Sequence, residues 1–219
     1  AGATDVVFFV YAADVEAAGL EPADALLERV ISDAPQPVTY LCLGPATTLA
    51  NLLDRNPSLA GKISAVYFLG DPPGPGARAF NTRRDTKALA ALINAGLPVR
   101  LLWLAGDDVL SYDDALERSI DLRDCPAAEL IGRLHRDARV QTLLDQGHLA
   151  AWDESLVLSF LDPLLVSFET TGTRDLRLGG RWSRPLARAS LLGLLDRGER
   201  PGLPPREPVV IASYPTSPE

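Results

Sequence analysis

Oxygen-bearing side chains collect where the apolar runs of this chain stop. Asp14 and Glu16 follow the run Val6-Val7-Phe8-Phe9-Val10-Tyr11. Thr47 and Thr48 follow Val38-Thr39-Tyr40-Leu41-Cys42, Asp71 follows Ile63 to Leu69, and Asp107 and Asp108 follow Val99 to Leu104. Asn81 ends the loop after Leu69. Carboxylates gathered at strand ends can hold a hard cation through oxygen ligands. The same side chains cap helices and close turns, so each has a structural reading beside the chemical one. Other chemistries are narrower. His135 and His148 are the only histidines, which excludes a His-rich metal centre. Cys42 and Cys125 make neither a disulfide framework nor a zinc site. Cys42 lies inside an apolar run and reads as a small core residue.

The elements that must position these groups alternate in type. The continuous apolar runs at Val6, Val38, Ile63 and Val99 predict strands buried on both faces. The second ends in Gly44-Pro45, and a helical pattern opens through Leu52 and Leu53, with Pro45 near its first position. A strand feeding a helix in this way turns its carboxyl end toward a crevice, where open α/β sheets bind ligands. Pro22 opens a helix through Ile31, and Ala34 to Pro37 stops it. Gly70 to Gly76 is a Pro/Gly loop on the same rim as Gly44-Pro45. Asp85 caps a helix closed by Gly96, and Ser111 with Asp114 resembles a capping box. Pro126 to Gln146 reads as one long amphipathic helix and Leu156 to Leu161 as another. Leu164 to Phe168 and Asp175 to Leu178 predict paired strands. Leu186 to Leu195 predicts a helix and Val209 to Ala212 a last short strand. The expectation is an α/β fold, a mostly parallel sheet covered by helices on both faces, in one domain over residues 1–219.

Composition bounds the partners. The 219 residues are 47% hydrophobic and 23% charged, as in ordinary globular proteins. A net charge of −8 without a basic cluster argues against nucleic acid. No apolar run approaches the roughly 20 residues needed to span a bilayer, so no membrane is expected. A cytoplasmic location is expected, with export after removal of a leader as the alternative.

A family resemblance rests on the order of several motifs. Val38 to Leu53 resembles the Gly-Pro-Leu-Thr-Asn-Leu-Ala segment of the inosine-uridine type nucleoside hydrolases. Asn56-Pro57-Ser58-Leu59 resembles their Asp-Pro-Glu-Leu step, and Ile63 to Gly70 their strand ending in Met-Gly-Gly. Ala79-Phe80-Asn81, with Asp85 after it, resembles Glu-Phe-Asn-x-x-x-Asp. Gly96-Leu97-Pro98-Val99 matches the lead into the next strand. Trp152-Asp153, followed by Asp162-Pro163, resembles a His-Asp motif and its later Asp-Pro. The resemblance covers residues 22 to 169.

That resemblance implies hydrolysis of the N-glycosidic bond of ribonucleosides. It implies a Ca²⁺ that holds the ribose diol and a water, and an aspartate that takes the water's proton. It implies a ribose contact for Asn81 and a metal-ligand and catalytic role for Asp153. The Leu43 carbonyl falls at a metal position. Thr48, Asp71 and Trp152 fall at substrate-contacting positions. Trp152 either stacks on a base or fills the volume of a histidine. Asp14 and Glu16 are the nearest echo of the family's opening Asp-x-Asp-x-x-x-Asp-Asp, which has no match here. Ala79 stands for the family's Glu, Thr48 for its Asn, Asp71 for its second Gly and Trp152 for its His. Three readings follow. One is a nucleoside-hydrolase-like protein with impaired catalysis that binds a nucleoside, a ribosyl ligand or a protein. A second is an active N-ribohydrolase with a rebuilt site of Asp14, Glu16, Asp71, Asn81 and Asp153. The third is an unrelated α/β interaction protein. Homo-oligomers are expected by the same resemblance.

Overall fold

A computed structural model describes residues 22–104, 108–171, 176–196 and 209–212, with the backbone alone at 180–181 and 209–212. Six strands form one sheet in the order β4-β5-β3-β2-β1-β6. They are β1 (Val38–Cys42), β2 (Ile63–Leu69), β3 (Val99–Leu102), β4 (Val166–Thr170), β5 (Arg177–Trp182) and β6 (Val209–Ala212). The pairs β1–β2, β1–β6, β2–β3 and β3–β5 are parallel. Helices flank this mostly parallel sheet, the α/β architecture that strand–helix alternation predicts. The expected strand at Val6 to Tyr11 lies outside the described residues, as do Asp14, Glu16 and Asp107.

The described residues fall into two compact units. The first holds 22–103, 168–171, 176–180 and 209–212, and the second holds 104, 108–167 and 181–196. In the first, α1 (Ala23–Asp33), α2 (Thr47–Arg55) and α4 (Thr86–Asn94) send Leu27, Ile31, Leu49, Leu52, Leu89 and Leu92 into one core. That core meets alternate residues of the strands: Val38 and Tyr40, Val66 and Phe68, Val99 and Leu101. Each fully buried leucine contributes about 1.5–3 kcal/mol. The other side of these strands, at Leu41, Ala65 and Tyr67, is also buried, which is why the strands read as unbroken apolar runs. Gly96 has φ +80°, and bonds from Gly96 to Ile93 and from Leu97 to Leu92 end α4 in a Schellman turn.

The second unit packs α5 (Asp114–Asp121), α6 (Pro126–His135), α8 (Trp152–Leu161) and α9 (Arg184–Asp196) around Leu116, Ile120, Ala128, Leu158, Ala187 and Leu191. Two local expectations change here. The pattern from Pro126 to Gln146 is two helices, α6 and α7 (Ala138–Asp145), because the Asp137 carboxylate accepts from the Arg139 N–H and restarts the chain. The cap of α5 is Asp113, which accepts from Leu116 N at 2.7 Å, while Ser111 bridges to Ala150. A 3₁₀ turn at Pro57–Lys62 and a short α3 (Phe80–Arg84) also go beyond the pattern. β3 stops at Leu102, two residues before the expected end at Leu104. Among the described residues no helix is long and apolar enough to cross a membrane.

Candidate functional site

The carboxyl ends of β1, β2 and β3 form the rim where the first unit concentrates its polar groups. The chain leaves β1 at Leu43, turns through Gly44-Pro45 and enters α2. Thr47 Oγ1 donates to Asp85 Oδ2 at 2.7 Å, and the other Asp85 oxygen caps α4 through Ala88 N. One carboxylate thus ties the starts of two helices. Thr48 lies beside it in the first turn of α2, half-buried.

The loop after β2 is built on Asp71. Its side chain is buried, with the residue only 3% exposed, and it accepts from Arg78 N at 2.6 Å and Ala79 N at 3.3 Å. It closes a loop whose prolines, Pro72, Pro73 and Pro75, have no N–H to give a ladder. Thr82, fully buried, donates to the Asp71 carbonyl at 2.9 Å. Gly70 makes this crossing possible. A Cβ there would lie 2.4 Å from Phe68 Cε1 and 2.5 Å from Thr82 Oγ1. Sequence reasoning missed Thr82 and the steric demand at Gly70. Their partners come from residues 11 positions and two positions away, and no local pattern announces them.

Asn81 joins the rim together. Its Nδ2 donates to the Leu43 carbonyl at 3.2 Å and to the Leu69 carbonyl at 3.1 Å. The Gly44 turn and Asn81 are therefore neighbours in space. Two carbonyls also fix which way the amide lies: the opposite orientation would set oxygen against oxygen twice. Oδ1 is thus the amide atom turned away from those two carbonyls, and among the described residues no donor is seen on it. The site offers a fixed hydrogen-bond acceptor.

In the second unit, Trp152 and Asp153 occupy the first turn of α8. The backbone here is pinned by Ala151 N to Leu110 O at 2.8 Å and Tyr112 N to Leu149 O at 3.3 Å. Both side chains are exposed, Trp152 at 42%. Dehydration by surrounding protein, and then the charge of Glu154, push the Asp153 carboxyl up to about 6. The residue's openness to water limits what this shift means for stability, since solvent screens the charge. Tyr112 donates to Glu154 Oε1 at 3.2 Å, and its phenol is raised first by burial and then by Glu154. His135 Nδ1 lies 2.9 Å from both Glu117 oxygens, with the Tyr112 ring edge-on at 4.8 Å. This cluster joins α5 to α6, and it too was invisible in sequence because its members sit on separate elements.

The described donors do not match a Ca²⁺ site. That ion takes six to eight oxygens. Asp71 is committed to its loop. Among the described residues no group of three or more His, Cys, Asp or Glu side chains could hold a metal.

No family model matches the chain. In sequence it is 35% identical over 88 residues to the pyrimidine-specific ribonucleoside hydrolase RihA of Salmonella arizonae, covering 38% of this chain and 27% of that protein. The match spans little more than a quarter of that relative's length. In structure it is similar to the inosine-uridine preferring nucleoside hydrolase of Bacillus anthracis, with a TM-score of 0.66, 19% identity, and coverage of 81% of this chain and 66% of that one. It is also similar to the type III effector protein XopQ complexed with adenosine diphosphate ribose, with a TM-score of 0.61, 17% identity, and coverage of 83% and 66%. The chain thus shares the fold of these nucleoside hydrolases, and a stretch of 88 residues resembles one such enzyme in sequence.

Proposed function

We propose that this chain is a nucleoside-hydrolase-like protein that binds a ribosyl ligand and whose hydrolytic power is impaired. The observation that carries the reading is Asn81. Its amide is clamped on the Leu43 and Leu69 carbonyls, which leaves Oδ1 as a pre-oriented acceptor at the strand ends. A sugar hydroxyl is the matching donor, and the clamp removes the entropy cost of orienting the side chain on binding. The fold-neighbour XopQ in complex with ADP-ribose supports a ribosyl group as the ligand class.

Impairment is supported by what the other polar groups do. Asp71 holds its loop and Asp85 caps α4, so neither is spare for proton transfer or metal binding. Trp152 stands where the family resemblance puts a leaving-group acid, and an indole cannot donate a proton to a departing base. A missing general acid or base typically costs 10²–10⁴ in rate. One observation favours a second reading. Asp153, pushed up to about 6, is poised to accept a proton near neutral pH, as an active N-ribohydrolase requires.

The test is calorimetric titration of the protein with ribose, uridine, adenosine and ADP-ribose, beside chromatography for released base with and without Ca²⁺. Saturable binding without base release is expected. Ca²⁺-dependent release at rates typical of enzymes would establish the second reading instead.

A further inference from the structure

Two arginines of the first unit stand side by side in its sheet. β3 and β5 run parallel with Arg100 opposite Arg177, and β2 sets Tyr67 opposite Arg100. The residues on either side of each belong to the core of this unit: Val66 and Phe68 around Tyr67, Val99 and Leu101 around Arg100, Leu176 and Leu178 around Arg177. Side chains alternate along a strand, so Tyr67, Arg100 and Arg177 share the opposite face of the sheet. The two arginine Cα atoms lie one strand spacing apart, about 4.8 Å. The pair is separate from the Asn81 rim. Arg100 stands two residues before the end of β3, and Arg177 opens β5.

This row is electrostatically incomplete. Like charges directly opposite each other destabilise a sheet. Arg100 is half-buried, its guanidinium 4.8 Å from the Tyr67 ring centroid, and its Nη1 donates to the Tyr67 hydroxyl oxygen. Phe168 meets that ring edge-on at 5.8 Å, which steadies the tyrosine and the guanidinium upon it. A phenol and a ring face leave the positive charge uncancelled. Arg177 is exposed and, among the described residues, has no ion pair or side-chain hydrogen bond. No acidic residue occurs in β1, β2, β3 or β5. Glu169 of β4 follows Phe168 and so points to the other face. Elsewhere arginines meet carboxylates: Arg55 meets Asp24, Arg123 meets Asp196 and Arg188 meets Asp113. With 29 acidic against 21 basic residues, a shortage of carboxylates does not explain the bare pair.

We infer that Arg100 and Arg177 form a binding site for a phosphoryl anion, apart from the rim. Guanidinium forks match phosphate oxygens in pairs. A carboxylate has two oxygens and satisfies one fork, whereas a phosphoryl group has enough for both. Tyr67 holds the Arg100 fork in place before the anion arrives, so less side-chain freedom is lost on binding. Arg177 closes on the anion from the solvent side. The site stands on this row of residues and does not depend on the ribosyl-binding reading.

The experiment is calorimetric titration of the whole chain with inorganic phosphate, glycerol phosphate and acetate at constant ionic strength. The proteins compared are wild type, Arg177→Ala, Arg100→Lys, Arg139→Ala and Asn81→Leu, each shown folded by circular dichroism. Both phosphates should bind wild type saturably and more tightly than acetate, and the tighter of the two tells whether the anion arrives free or as an ester. Arg177→Ala, at an exposed position, should weaken them by about 10- to 100-fold. Arg100→Lys keeps the charge, loses the fork and should weaken them too. Arg139→Ala removes an exposed charge from α7 and should change nothing, as should Asn81→Leu. Phosphate should also raise the melting temperature of wild type and not that of Arg177→Ala. Equal phosphate affinity in wild type and Arg177→Ala, or no saturable binding to wild type, would overturn the site. Loss of phosphate binding in folded Asn81→Leu would move the anion to the rim, and acetate binding as tightly as phosphate would overturn the phosphoryl assignment.

Discussion

The rim of the first unit and the start of α8 in the second unit carry the same kinds of residue and treat them differently. On the rim the polar groups are occupied. Asp71 holds a loop, Asp85 holds two helix starts, and Asn81 holds two strand ends. At α8 the backbone is pinned and the side chains of Trp152 and Asp153 stand in solvent, where nothing among the described residues hydrogen-bonds to Asp153. The lesson is that a motif fixes where a residue stands and leaves its job to its neighbours. On the rim Asp71, Asp85 and the Asn81 amide N–H₂ serve as scaffolding. The α8 turn has kept an open carboxylate whose proton affinity is raised.

The contrast can be broken first at Gly70. Gly70→Val puts atoms where Phe68 and Thr82 already are, and overpacking of this kind costs about 1–3 kcal/mol. The urea midpoint should fall accordingly, whereas Gly61→Val, where a Cβ meets nothing within 4 Å, should shift it little. Next comes Asn81→Asp. It replaces a donor with a carboxylate facing two carbonyls and should cost about 1–3 kcal/mol in the same assay.

The acid limb of stability sharpens the picture in the second unit. Burial works to raise Asp113, but the Leu116 N–H and Arg188 outweigh it and hold the carboxyl below its ordinary value. A lowered folded pKa gives stability that is present above the unfolded value of 3.8 and is lost as pH falls through the folded one. Asp113→Ala should therefore cost about 1 kcal/mol near neutral pH, the usual worth of a cap, and much less in strong acid. Thermal melts at both pH values check this.

Asp153 has the opposite sign and the smallest effect. Its folded pKa lies above the unfolded value, so its contribution is present below pH 3.8 and is lost as pH rises through about 6. Asp153→Asn should melt slightly higher than wild type at pH 7 and no higher at pH 3.5. An NMR titration of the carboxyl should find its midpoint near 6, and Glu154→Gln should lower that midpoint.

Much of this fold was legible. The β1 turn into α2 could be read because an apolar run, Gly-Pro and a 3.6-residue pattern agree there. Asp85 and Gly96 were legible as helix ends because caps act over three or four residues. The work of Asp71 was not, because its partner N–H groups lie across a Pro/Gly loop whose path the sequence leaves open. The break between α6 and α7 was hidden because Leu134, Val140, Leu143 and Leu144 keep an apolar pattern running across it. At the site, Asn81 was legible as a rim residue. Its orientation was not, since that depends on two carbonyls from strands brought together only by folding.

The most direct test of the account is uridine binding to wild type and to Asn81→Leu, measured by calorimetry at a temperature where circular dichroism shows both folded. The account predicts saturable binding to wild type and none to the variant across the same concentrations. Equal binding to both proteins would contradict it.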